Sequence, residues 1–191
     1  MAGAKEGFCH GKTRSIHALF PDPAVDGRGS ASAFDGKRTG IYLGLGAGLE
    51  TITSYGDGVR DHKTRCGFQT TLEIGAGISD QLLILFSGHL TINRTVDPPY
   101  DKVVWFEPAV IVRYYFKPTF RSFYIFGGPA AAVGTGLLEY EEVLGAFGFG
   151  VAAGAGYQFS RNFQVKLGAI LTSGSNTSFR SFHATVNLVG Y

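Results

Sequence analysis

The chain has 191 residues, 28 of them glycine, about 15 per cent and roughly twice ordinary usage. Apolar residues make up 45 per cent and charged residues only 17 per cent, against a usual quarter, so neither a disordered polar chain nor a highly charged soluble surface fits. A net charge of +2 without a clustered basic helix excludes the footprint of a nucleic-acid binder.

The length suits one domain. The longest uninterrupted apolar run, 82–86, is far short of the ~18–20 residues a membrane-spanning helix needs. Cys9 and Cys66 offer no disulfide framework and no metal-ligand spacing, and neither a cofactor nor a metal is implied.

Residues 1–38 carry Lys and Arg but no apolar stretch after them, so they do not read as a secretory signal. Pro21, Pro23 and several glycines oppose a stable helix. The segment is expected to be an irregular tail, a plug packed into the lumen of residues 39–191, or a docking segment for a protein partner.

From Thr39 onward the side chains alternate with a period of two, the signature of strands. Ile41, Leu43, Leu45, Ala47 and Leu49 share one face, opposed by Tyr42, Gly44, Gly46, Gly48 and Glu50. Phe68, Leu72 and Ile74 repeat this against Gln69, Glu73 and Gly75. Further segments at 83–93, 103–116, 122–135, 146–159, 163–172 and 179–189 bring the total to eight strands.

Short turns are expected at 79–81, 117–120 and 160–162, with longer polar connections at 51–66, 94–102, 136–145 and 173–178. Eight antiparallel strands of about ten residues, short turns at one end and long loops at the other, make the pattern of an all-β, up-and-down transmembrane barrel spanning 39–191.

Twelve glycines fall on the second face, with Glu73, Glu107, Arg113, Lys166, His89 and His183. Glycine on a water-facing sheet weakens it without packing gain, whereas a narrow eight-stranded interior has room only for its own side chains. The glycine face is therefore expected to line the lumen and accept Leu83, Leu85, Trp105, Ile111, Tyr115, Tyr124 and Phe126. The apolar face is expected to meet lipid. Its aromatics sort to two levels, Tyr114, Phe116, Phe123, Tyr157, Phe159 and Phe163 near the turns and Phe68, Phe106, Phe147, Phe149 and Phe182 near the loops, as interfacial girdles do.

Residues 145–159 (GAFGFGVAAGAGYQF), the tight turn after them and Phe163, Val165, Leu167 and Gly168 resemble the small eight-stranded outer-membrane proteins typified by the OmpA transmembrane domain, OmpX, OmpW and the opacity proteins. The resemblance covers about 39–191. It implies an integral outer-membrane protein with a structural or interaction role, or a narrow pore, whose partners are outer-membrane lipids and lipopolysaccharide, with a protein partner reached through 1–38 or the long loops. Such barrels usually finish on an outward aromatic residue, but the outward register of the last strand leaves Tyr191 out of phase.

Four inward charges, Glu73 and Glu107 against Arg113 and Lys166, balance and are expected to form an interior ion network or a gate. His89, His183 and Ser181 are expected in the lumen as hydrogen-bonded polar groups; resemblance to the lipid A hydrolases and acyltransferases among such barrels offers a catalytic alternative. Pro108 and Pro129, unable to donate to a ladder, predict a local bulge; resemblance to the lateral-access barrels of this family implies instead a weakened seam that admits a lipid or apolar solute sideways. Arg180, outward at the loop end, is the candidate contact for a lipid phosphate. A soluble lipocalin-like binding barrel is the remaining alternative fold reading.

Overall fold

A computed structural model describes residues 37–56, 64–94, 100–138, 142–174 and 177–191. Two compact units divide the chain at Ala31, and the described residues belong to the second. The expectations for 1–36, and the parts of the long connections at 57–63, 95–99, 139–141 and 175–176, lie outside the described residues, as does Cys9.

Eight strands succeed one another: β1 (Gly40–Gly56), β2 (Thr64–Gly77), β3 (Leu82–Arg94), β4 (Tyr100–Tyr115), β5 (Ser122–Leu138), β6 (Glu142–Gln158), β7 (Phe163–Ser173) and β8 (Thr177–Gly190). Each pairs antiparallel with the next, and β1 pairs with β8, so the sheet closes and no strand edge is left open. The strands run further toward the loop end than the hydrophobic pattern indicates. Thr51, Thr53, Thr64 and Arg65 still pair across β1 and β2, although apolar alternation has faded there, because ladder bonds use backbone groups rather than side chains.

Three tight turns sit where expected. In two of them a serine hydroxyl caps the following strand, Ser79 Oγ accepting from Leu82 N at 3.1 Å and Ser160 Oγ from Phe163 N at 3.1 Å.

The two faces are sorted as the alternation requires. Large apolar side chains on the first face are exposed, from Leu43 at 39% to Leu49 at 70%, and all the girdle phenylalanines point outward with them. This overturns the soluble-barrel alternative, which needs those groups converging on a core. The opposite face is buried, with Glu73, Arg113, Lys166 and Gln164 at 1% exposure or less.

Inside, cross-strand partners alternate large with absent side chains. Trp105 pairs with Gly134, Phe126 with Gly154, Tyr124 with Gly156 and Leu85 with Gly75. Gly150 shows how close the approach is: a Cβ there would lie 1.7 Å from the Leu171 carbonyl oxygen and 2.7 Å from Thr172 Cα, both backbone atoms. Gly150→Ala is expected to cost about 1–3 kcal/mol, because β6 and β7 must part to admit the methyl. Gly127→Ala, whose Cβ would sit 3.4 Å from the Ala152 carbonyl oxygen, is expected to change stability by less than about 0.5 kcal/mol. Urea midpoints in detergent micelles compare the two.

Candidate functional site

The lumen is filled in layers. At the turn end lies Arg38, 1% exposed. Its Nη1 donates to the carbonyls of Asp80 (3.0 Å) and Lys117 (2.8 Å), and its Nη2 to the carbonyl of Thr119 (2.5 Å). Nε and Nη2 both donate to Gln158 Oε1, at 3.2 and 3.1 Å. The guanidinium also stacks 3.7 Å above the centre of the Tyr115 ring. One side chain thus closes the floor by tying the 79–81 and 117–120 turns to the end of β6. Sequence reasoning placed Arg38 in the tail because it precedes the alternation; nothing in the pattern marks it.

Tyr191 joins this floor. As its register implied, it points inward, 2% exposed, with its hydroxyl 3.1 Å from both Tyr115 Oη and Gln158 Oε1.

Above it lies an ion cluster. Arg113 Nη2 donates to both Glu73 oxygens, at 2.8 and 2.7 Å, and Lys166 Nζ donates to Glu73 Oε1 at 2.8 Å. Tyr42 Oη donates to Glu73 Oε2 at 2.8 Å and accepts from Arg113 Nη1 at 2.8 Å and Gln164 Nε2 at 3.0 Å. Lys166 Nζ lies 5.6 Å from the Phe126 ring centre, and the Arg113 guanidinium 4.8 Å from that of Tyr124.

Three of the four predicted charges are therefore brought together. Glu107 is not among them. It lies one layer nearer the loops, where Ser181 Oγ donates to its Oε2 at 3.2 Å and the Glu50 carboxyl is its electrostatic neighbour. Glu50, in turn, accepts from Thr91 Oγ1. The expected two-against-two balance is corrected to one carboxylate between two cations, with a separate pair of acids. Glu50 stood on the predicted inward face, but sequence spacing cannot show which inward charges meet across a curved lumen.

Between the two charged layers the His89 and His183 rings meet at 4.7 Å between centroids. Gln69 Nε2 donates to His89 Nδ1 at 3.0 Å, which places the ring proton on Nε2, facing Ser87 Oγ at 2.9 Å. Ser87 Oγ continues to Glu73 Oε1 at 3.5 Å. His183 packs instead over the bare backbone of Gly168, both its ring nitrogens lacking partners among the described residues. Ser181 and His183 do not bond each other, and both face the lumen, so the nucleophile–base contact required for the catalytic alternative is not formed.

At the loop end Trp105 and Phe179 meet edge to face at 4.7 Å, packed with Ile52 and Val103. Among the described residues these four side chains form the layer nearest the loop end.

Pro108 and Pro129 sit on the outward face of neighbouring strands. No residue is inserted between them: Phe106–Val133, Ala109–Ala130 and Val112–Gly127 keep one register, so the expected bulge is absent. The register shifts in β4–β5 and β5–β6 fall elsewhere, at Tyr100–Lys102 and at Gly134–Gly136. Pairing at every third position is what two missing amides produce. Pro108 cannot donate to the Ala131 carbonyl, nor Pro129 to that of Val110, and each missing bond removes the neighbouring bridges. Behind this stretch the inner wall is Ala109, Ile111, Ala130 and Ala132. Pro108→Ala and Pro129→Ala are each expected to restore one ladder bond and stabilise by about 0.5–1.5 kcal/mol, read as a protected new amide at position 108 or 129 and slower exchange at the neighbouring amides.

Arg180 is exposed, its guanidinium 4.8 Å from the Tyr55 ring centre, and Cys66 is an exposed free thiol.

The fold so described is that of the small eight-stranded outer-membrane barrels. Two solved structures show the likeness. Neisserial surface protein A is 16% identical, with a TM-score of 0.54 over 78% of this chain and 96% of its own. Ail, the attachment invasion locus protein of Yersinia pestis, is 12% identical, with a TM-score of 0.50 over 79% of this chain and 99% of its own. Ail has also been solved in complex with the heparin analogue sucrose octasulfate. No protein-family model and no curated protein sequence matches the chain.

Proposed function

We propose that the chain is an integral protein of a bacterial-type outer membrane, a rigid scaffold that presents its loop end to partners. The single observation behind this reading is the inversion of the usual sorting: exposed Leu, Ile, Val and Phe outside, fully buried Glu73, Arg113 and Lys166 inside. Such an arrangement is favourable only where hydrocarbon wets the outer wall, since one contiguous apolar belt of this size does not stay exposed in water. Heat-modifiable gel mobility of detergent-extracted protein tests it. A band that shifts on boiling is expected, whereas protein that stays in solution without detergent overturns the reading.

A self-filled lumen favours a scaffold over a pore. Arg38 blocks the turn end, Trp105 and Phe179 fill the layer nearest the loop end among the described residues, and the Glu73 cluster occupies the middle. Planar-bilayer recordings are expected to show no discrete conductance steps from the intact barrel; steady unit conductance would establish the pore instead. The Ail complex with the heparin analogue sucrose octasulfate supports an anionic partner for a barrel of this fold, and the connection between β1 and β2 in this chain carries Arg60 and Lys63 in sequence.

A second reading, sideways entry of a lipid or apolar solute, is favoured by the thinned ladder at Pro108 and Pro129 beside an alanine-rich inner wall. Full exchange protection of the amides flanking both prolines would remove it.

A further inference from the structure

The outward face is not uniformly bulky. Across β7, β8, β1 and β2 one lateral row reads Leu167, Ala184, Leu49, Phe68, and the next row toward the loop end reads Ala169, Phe182, Thr51, Cys66. Ala184, Thr51 and Cys66 form a low floor, and Leu49, Leu167 and Phe182 stand around it. The groove they enclose has a volume of about 630 Å³ and an almost wholly apolar lining. That size falls within the ~300–1,000 Å³ of small-molecule sites.

One row further toward the loop end comes Leu171, Arg180, Thr53, Thr64. Arg180 is two residues beyond Phe182 on the same strand and face, and four beyond Ala184, roughly 13 Å along an extended backbone. Its guanidinium is oriented by Tyr55, and among the described residues no carboxylate pairs with it. Thr53 and Thr64 offer hydroxyls in the same row, 2.9 Å apart.

A fixed cation at the edge of the hydrocarbon band, directly above an apolar groove, has the polarity of a lipid. We propose that this face holds one phosphorylated lipid of the leaflet at the loop end, lipid A in an outer membrane, with a phosphate on Arg180 and an acyl chain lying in the groove over Ala184 and Cys66. Guanidinium suits the task, since its planar donors meet phosphate oxygens in pairs and it is more weakly hydrated than an ammonium. The inference rests on the membrane reading and adds a defined site to it.

The test uses the full chain carrying Cys9→Ser, so that Cys66 is the sole thiol, folded in detergent micelles. Diphosphorylated lipid A is titrated against the rate of Cys66 alkylation by N-ethylmaleimide, and native mass spectrometry counts retained lipid. Slowed alkylation and one retained lipid are expected with the diphosphorylated form. Lipid A stripped of its phosphates and phosphatidylethanolamine are expected to bind at least about tenfold more weakly. Arg180→Gln is expected to cost a similar factor, and Ala184→Phe, which fills the floor with a side chain suited to a lipid-facing strand, to abolish protection. Ala184→Leu carries the same test if the Phe variant does not fold.

Equal binding of the phosphate-free lipid, or an unchanged Arg180→Gln, overturns the headgroup assignment. Protection that survives a filled groove overturns the chain site. A protein whose gel band does not shift on boiling fails the membrane reading itself, a result distinct from either.

Discussion

Glu73→Gln is expected to destabilise the barrel by about 3–5 kcal/mol, the cost of removing one partner from a buried ion pair. Glu73 is the sole anion within hydrogen-bonding reach of Arg113 and Lys166 among the described residues, and all three are 1% exposed or less. The neutral amide leaves two cations side by side where water cannot screen them. It also turns a pure acceptor into a group with two N–H donors of its own, facing donors on Arg113 and Lys166. Lys166→Met is expected to cost less, since Arg113 still pairs with Glu73 at 2.7 Å and Tyr42 still donates to it. Replacing all three together, Glu73→Leu with Arg113→Met and Lys166→Met, is expected to recover most of the loss, because the desolvation penalty disappears with the charges. Urea unfolding monitored by gel mobility in micelles measures the series. An effect below about 1 kcal/mol for Glu73→Gln would show that the cluster is hydrated and contributes little.

The same cluster marks the boundary of what could be read in the sequence. Alternation settled which residues face inward: Glu73, Glu107, Arg113, Lys166, His89, His183 and Ser181 are all buried. This is so because side-chain period is a local backbone property, and the glycine content identified the narrow side. Contact across the lumen is different. Arg113 reaches Glu73 from β4 to β2, and Lys166 from β7, through a tilt and stagger that no local window contains. Glu107 has the same residue type, face and burial as Glu73, yet meets Glu50 and Ser181 instead.

Proline taught the converse lesson. Its missing amide was legible, but whether the chain answers with an inserted residue or a skipped bond depends on the neighbouring strand. Here the register on both sides of the gap is locked by the outward apolar set, and a one-residue slip would turn Phe106, Val110 and Val112 inward. Losing two bonds is the smaller cost.

Arg38 had no sequence signal at all, and its removal carries the second large expected effect. Arg38→Ala should cost on the order of 3 kcal/mol, because hydrogen bonds to a charged donor contribute about 1.5–3 kcal/mol and one of the acceptors it leaves, Gln158 Oε1, is fully buried. Those acceptors belong to three separate segments: Asp80, Lys117 with Thr119, and Gln158. Loss of the side chain therefore frees the turns from one another as well as from the floor. Amide exchange should accelerate at 79–81 and 117–121 together, while the Glu73 layer, which shares no bond with Arg38, stays protected. Arg38→Lys should recover less than half of the stability: a point charge on a flexible stem cannot reach all three segments or stack flat on Tyr115. Truncation isolates the same contact, since a chain begun at Arg38 keeps the floor and one begun at Thr39 loses it, and the difference in their refolding midpoints should match the Arg38→Ala cost. Equal midpoints would place the floor's stability in Tyr191 and Gln158 alone, and the barrel unit would then start at its first strand.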